Sequence, residues 1–395
     1  MAKIVILGGS FGGLTSAFEL KRLLGKKAEI TVVSDEDKFV FIPSLPWLSF
    51  GWRSKKDIIF SIKPVLERKD INFIHEPATG IDPDKFRVLT VSKEISYEYL
   101  IIATGAYLAF DEVPGLGPEK GHTDCIFTLS QAEKTYESWK KFLEESGPVV
   151  IGAVQGVSCF GPAYEYVFEL DAELRKRRIR HRIPITFITP EPYLGHFGIS
   201  GLMNSKRLME DEFAKRDIIY MVNQSVEEVI PGEIRLKDGT RLPFKLSMLA
   251  PAMRGISAVS SIGNPRGFIP VDRYYRHQRY KNIFSCGVAV AIAPPGLTPV
   301  PTGVPKTGYM TVMMAKTLAT VIASNIKNEA ILEPEDISAI CLMDMGDTAA
   351  YMKVSPVLPP RQEAVFKTGL QYKWMKMVFE RYYLWKIRHG LTNLP

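Results

Sequence analysis

Cysteine is scarce in this chain: four in 395 residues, at positions 125, 159, 286 and 341. They are too few and too far apart for the disulfide framework of a small secreted domain, and none forms a C-x-x-C pair. Histidine is nearly as rare, with six, and none clusters with the cysteines at zinc-ligand spacing, so no metal centre is expected. Long apolar runs are missing as well, since nothing reaches the roughly 18 residues that a membrane-spanning helix needs. The short run Ile4 to Leu7 leads directly into a glycine turn, which marks a first strand and not a signal peptide. There is no internal repeat, no low-complexity tract and no compact nucleic-acid reader motif, so nucleic acid is not an expected partner. The four thiols are therefore either buried and inert or assembled in space as a redox group.

What is present is the composition of a globular protein, 46% apolar and 24% charged, on a chain long enough for two α/β domains or more. The formal charge of +7 suits an anionic partner, either a membrane surface or an acidic substrate. Lys3 to Lys21 reads as strand, tight turn and helix. Gly8 supplies the turn, Gly13 permits close packing of helix on strand, and the helix start is aimed at phosphate. Ser10 replaces the second glycine of G-x-G-x-x-G, while Gly9 and Gly12 keep the loop small. The next strand, Glu29 to Val33, ends at Ser34-Asp35, where a side chain reaches an adenosine ribose. Phe39 to Trp47 is rich in aromatics and proline, and is expected to be a rigid, non-helical wall against which a flat ring can lie. The strand Tyr97 to Gly105 closes on Ala103-Thr104-Gly105, whose small residues admit a dinucleotide close to the backbone.

A linker after Leu116 leads to a second unit, with a helix from Glu133 and a strand at Val149 to Ile151. Here the turn reads Gly152-x-Val154-x-x-Val157 and runs into Cys159. Two of the three fingerprint glycines are absent, and the valines would obstruct a pyrophosphate. Tyr164 to Arg178 is helical. Asn282 to Val288 has the form of a last strand of a flavin-binding domain, with Val288 where an acid usually follows Gly287. Lys306, near the start of a helix from Tyr309 to Ile326, is placed to hold positive charge beside a reduced flavin. From Phe366 to His389, Trp374, Val378, Tyr382 and Trp385 recur at three- and four-residue steps, with Met375 and Phe379 beside them and lysines and arginines interleaved. Apolar residues on one side and cations on the other suit a helix lying in the headgroup region of a membrane. The expected divisions are 1–115 with 270–330 as a first, dinucleotide-binding Rossmann domain, 116–269 as a second Rossmann-like domain, and 331–395 as a C-terminal membrane-contact region.

Three motifs, Ser158-Cys159-Phe-Gly-Pro-Ala-Tyr-Glu165, Pro301 to Tyr309 and Cys341-Leu-Met-Asp-Met-Gly-Asp347, sit on this two-unit frame. With them the chain resembles sulfide:quinone oxidoreductases, within the flavoproteins built from two dinucleotide-binding domains. The resemblance implies an α/β fold of two Rossmann-like domains and a peripheral, monotopic membrane protein. It implies FAD held around Gly8, Ser10, Phe11, Gly12, Gly13, Ser34, Asp35, Pro43, Ala78, Ala103, Thr104, Gly105, Gly287, Val288 and Lys306. It implies Cys159 and Cys341 as a redox pair, Cys125 assisting in passing sulfur out, Glu165 as an acid or base near the pair, and His196 in a sulfide channel. Leu342, Phe379, Tyr382 and Tyr383 would line a site for ubiquinone, menaquinone or a related quinone. The partners implied are sulfide, quinone, a membrane surface and further copies of the chain as a homo-oligomer. Gln131 stands where some relatives have a second channel histidine, and Leu342 where some have an aromatic residue.

Hydrosulfide is a good nucleophile at neutral pH, so it attacks a disulfide sulfur without a strong base. Attack on a bond between Cys159 and Cys341 leaves a persulfide and a thiolate, and two electrons continue through FAD to quinone. The alternatives are a type II NADH:quinone oxidoreductase, a flavocytochrome-type sulfide dehydrogenase, and a non-catalytic sulfur-binding flavoprotein at the membrane. The first needs an intact second nucleotide turn, which this chain lacks.

Overall fold

A computed structural model describes residues 1–393. Its first sheet has five parallel strands in the order Ile283–Ser285, Tyr99–Ile102, Ala2–Leu7, Ala28–Ser34, Asn72–His75. Both neighbours of Ala2–Leu7 follow it in sequence, so the strand order reverses there. A crevice opens at the carboxyl end of such a strand. The helix Phe11–Leu24 starts at that point and packs on the helix Gly308–Lys327. Buried Ile, Val and Leu fill both faces of the strands, as a sheet covered by helices requires.

A second parallel sheet has the order Ile219–Met221, Ile185–Ile188, Val149–Ala153, Leu246–Ala250. Val149–Ala153 feeds the helix Gly161–Lys176, here called the cysteine helix. The chain ends in an antiparallel sheet, Ala339–Asp344, Ala349–Ser355 and Glu363–Gly369, followed by the tail helix Leu370–Arg388. The tail helix thus begins after Gly369, and Phe366 belongs to a strand.

The segment Phe39–Trp47 departs from the non-helical wall expected of it. Lys38–Val40 is a strand, Ile42–Ser44 one 3-10 turn, and Leu45–Ser49 a short helix. Pro43 and Pro46 sit in the first positions of these turns, where proline's missing N–H has no partner to lose. The expected helix from Glu133 starts earlier, at Leu129, because Thr128 and Gln131 form a capping box. Gln131 is engaged in this cap through both its backbone N–H and its side chain.

Gly8 has φ +109, and a Cβ there would lie 2.3 Å from the Ala103 carbonyl oxygen. Gly8→Ala is expected to destabilise the fold by about 1–3 kcal/mol through combined backbone strain and collision. Urea denaturation against wild type measures this loss.

Candidate active site

The two glycine turns present opposite chemistries. In the first, Gly13 is held so close to Gly8 that a Cβ would lie 1.8 Å from the Gly8 carbonyl oxygen. Ser10 makes no side-chain cap, and the first recorded intrahelical bond is Leu14 N–H to the Ser10 carbonyl. Among the described residues the N–H groups of Gly12 and Gly13 have no acceptor, which leaves a helix start open to an anion. Ser34 is buried beside Gly9 at the end of its strand. Thr104 Oγ1 is buried with no partner. Gly105 has open space around it, and Gly287, at φ +72, abuts Thr311, which also flanks Gly12. Phe11 touches Gly308 at the start of the helix that follows Lys306. An orphaned hydroxyl, free helix-end N–H groups and a glycine cradle together fit a dinucleotide.

Lys306 reaches the Val288 carbonyl at 3.4 Å and lies 4.4 Å from the Phe268 ring centroid, with no carboxylate recorded beside it. Burial pulls its pKa down to about 8. Asp35 is exposed, and its carbonyl accepts from His75, so Ser34 is the residue turned into the crevice. Pro43 and Ala78 are half-buried at the starts of their elements.

The second turn is closed by the protein itself. Val154 N–H donates to Ala250, Gly156 N–H to Pro301, and Gly303 N–H to Val157. Val154 and Val157 are fully buried, and Pro162 removes one donor from the start of the cysteine helix. The Gly161 N–H points at the Cys159 sulfur and favours its thiolate, while burial pushes that thiol up to about 11. Cys341 lies on the strand Ala339–Asp344, which packs on the cysteine helix. Its thiol is pushed up to about 12, by burial first and by the neighbouring Cys159 second. The two cysteines thus lie on neighbouring packed elements, close enough for the charge of one to weigh on the other.

The structure does not bring the other candidates together so closely. Cys125 is wholly buried under Thr135, which donates to its carbonyl, and its thiol is pushed up to about 12. That burial argues against Cys125 carrying sulfur outward. Cys286 lies behind the first turn, against Gly12 and Ser16. His196 is buried and held neutral by desolvation and Arg361. Its loop leans on Phe160, next to Cys159, through Gly198.

Glu165 forms a buried ion pair with Lys376 of the tail helix. Burial draws Lys376 down to about 7. Lys376 lies 4.6 Å and Arg53 4.4 Å from the Trp47 ring centroid, Arg53 pairs with Glu380 at 2.8 Å, and Ser44 donates to Glu380. The Trp47 indole N–H donates to Asp344 at 2.9 Å. One and two turns along from Lys376, Phe379 and Tyr383 meet Phe41 at 6.1 and 5.7 Å, and Tyr383 stacks on Phe11 at 5.0 Å. Leu342 and Asp344 share one face of their strand and Cys341 the other, and Leu342 pairs across the sheet with Tyr351.

Two expectations for the tail are corrected. Tyr382 turns away from Phe379 and Tyr383, donating to the Asn393 carbonyl, because it falls about 100° round the helix from Tyr383. The cations do not sit opposite the apolar stripe in solvent: Lys376 and Lys386 are buried, while Trp374, Val378 and Trp385 are 61, 65 and 51% exposed. Sequence reasoning missed Trp47, Lys376 and Glu380, whose partners lie far away along the chain.

Residues 2–317 match the pyridine nucleotide-disulphide oxidoreductase family, and the chain is a reductase of that class. The sulfide-quinone reductase of Aquifex aeolicus (strain VF5) is 42% identical over 401 residues, covering 99% of this chain and 92% of that protein. The X-ray structure of the sulfide:quinone oxidoreductase from Aquifex aeolicus superposes with a TM-score of 0.94 at 41% identity, covering 100% of this chain and 93% of that one. The chain belongs to the sulfide:quinone reductase family. NDH2 from Plasmodium falciparum in complex with NADH shares the fold alone, at 18% identity and a TM-score of 0.75 over 98% of this chain and 96% of that one.

Lys306 favours an anionic reduced cofactor only while it is protonated, that is below its pKa of about 8, or higher once an anion is bound. Redox titration of the FAD-loaded Lys306→Met protein is expected to give a two-electron potential lower by about 30 mV, equivalent to about 1.4 kcal/mol. The difference should narrow as pH rises past the lysine's pKa.

Proposed function

We propose that this protein oxidises sulfide at Cys159 and Cys341 and passes two electrons through FAD to a membrane quinone. The observation that supports this reading is the closed second turn, whose N–H groups are taken up by the protein where a pyridine nucleotide would need them free, and which runs directly into Cys159. FAD, when bound, accepts two electrons from the sulfur side and returns them on the quinone side.

The chain's residues supply the rest. In the oxidised state a sulfur–sulfur bond joins Cys159 and Cys341, and burial that penalises both thiolates favours that bonded state. Hydrosulfide breaks this bond and forms one new S–S bond, leaving a persulfide on one cysteine and a thiolate on the other. The net change is hydrosulfide to sulfane sulfur, one proton and two electrons. The Gly161 N–H steadies charge on Cys159. The Gly8–Gly13 turn, Ser34 and Thr104 hold the dinucleotide, and Lys306 balances the charge of its reduced form. Phe41, Phe379 and Tyr383 form the pocket for the quinone ring, with the Glu165–Lys376 pair as its proton source.

No helix among the described residues is long and apolar enough to cross a membrane. Contact instead rests on the outward stripe of Trp374, Met375, Val378 and Trp385, which none of the described residues covers. The cations beneath it are spent on Glu165 and on aromatic rings.

Anaerobic mixing with sulfide should bleach the flavin, and NADH should not; bleaching by NADH alone would sink the reading. Cys159→Ser and Cys341→Ser are each expected to abolish sulfide-driven bleaching while FAD stays bound. Substituting glutamate at Trp374, Val378 and Trp385 should release the protein from anionic vesicles in co-sedimentation, and an unchanged membrane fraction counts against the stripe. These point substitutions are preferable to deleting the helix, because Tyr383, Leu384 and Ile387 belong to the core.

A further inference from the structure

The cysteine helix carries Glu165, Glu169 and Glu173 at four-residue steps, so they line one face with a rise of about 6 Å between neighbours. All three are buried, at 6, 0 and 3% exposure. The two ends are paired, Glu165 with Lys376 and Glu173 with the Trp52 indole at 2.9 Å and Lys176 at 3.4 Å. Glu169 is different: neither of its carboxyl oxygens has a partner among the described residues.

A bare, ionised carboxylate is not sustainable in such a place. The groups around it are Glu173 and Tyr166 on its own helix, Asp344 on the strand above, and Lys373 on the tail helix. The Trp47 indole also lies within reach but is donated to Asp344. Burial, then Asp344, holds the Glu169 carboxyl far above the ordinary range, and Lys373 offsets this only in part. The side chain is a neutral acid whose hydroxyl has no acceptor, and the unmet oxygens suit one or two bridging waters.

The row leads somewhere at both ends. Beyond Glu173 lies a surface groove of about 360 Å³ lined by Trp52, Ala172, Glu173, Lys176, Gly346 and Lys373. Beyond Glu165 lies Lys376, one helical turn from Phe379 and two from Tyr383. A quinone becomes a quinol by taking two electrons and two protons. Both electrons and one proton come with the reduced, anionic flavin, so one further proton per turnover is owed by the protein.

We propose that Glu169 is the relay through which that proton travels, from the groove at Glu173 across Glu169 to the Glu165–Lys376 pair and so to the quinone oxygen. Each transfer moves one proton between adjacent acids or an intervening water, and the helix face returns to its starting state when the groove supplies the next. This inference rests on reading the aromatic pocket as the quinone site. Glu169 touches neither quinone nor cofactor and acts through Glu165 and Lys376.

The test separates the half-reactions. FAD-loaded Glu169→Gln, reduced by sulfide and then mixed anaerobically with decylubiquinone, is expected to reoxidise at least roughly tenfold more slowly than wild type. Bleaching by sulfide should keep its rate within about twofold. The deficit should deepen as pH rises, since protons must then come directly from solvent, and Glu169→Asp should restore part of the rate. Infrared spectra should show a buried carboxylic-acid C=O band in wild type that Glu169→Gln lacks. Wild-type reoxidation in Glu169→Gln, or no such band, overturns the relay. If Glu169→Gln does not retain FAD, Glu173→Gln at the groove takes its place, with slowed, pH-dependent reoxidation expected and an unchanged rate overturning the proposal. Failure of wild type to bleach with sulfide or to reoxidise with decylubiquinone would instead strike the functional reading, while the infrared band still decides whether Glu169 is protonated.

Discussion

A buried ion pair between Glu165 and Lys376 ties the helix that presents Cys159 to the helix that faces outward. Removing either partner would leave an uncompensated charge in the interior, at a cost of about 3–5 kcal/mol. The pair is hemmed in by Trp47, by the Arg53–Glu380 bridge and by Asp344, so the segment Leu45–Ser49, the last sheet and the tail helix all depend on one another there. Because Lys376 is spent on this contact, the opposite face of its helix is left with the exposed tryptophans. One electrostatic constraint thereby links the cysteine helix, the segment Leu45–Ser49 and the tail helix.

The two α/β halves share a strand–turn–helix plan and diverge at the turn. In the first, glycines clear the space and leave helix-end N–H groups without partners. In the second, the N–H groups of the turn itself are taken up by Ala250 and Pro301. The second turn is closed by the protein's own backbone and runs into Cys159, and the strand Ala339–Asp344, which carries Cys341, comes to the same helix from a distant part of the chain.

Much of this was legible before any coordinates. The first turn announces itself because glycine spacing, a preceding apolar strand and a ribose-facing serine are all local signals. The loss of glycines before Cys159 was equally local, and so was the apolar stripe of the tail. What escaped was tertiary. Lys376 and Lys386 read as solvent-facing because lysine usually is, and only the partner 211 residues away shows why Lys376 turns inward. Phe39–Trp47 reads as non-helical from its prolines, although the first turn of a helix accepts them. The burial of Cys125 was equally illegible, because sequence carries no measure of it.

The account's central claim is that sulfur is handled at Cys159 and Cys341 and nowhere else in the chain. The most direct measurement is peptide mass mapping of the protein after brief anaerobic exposure to sulfide and rapid alkylation. The account predicts added sulfur on the peptides that contain Cys159 or Cys341, and none on those with Cys125 or Cys286. Added sulfur on Cys125 or Cys286, with Cys159 and Cys341 unmodified, would contradict it.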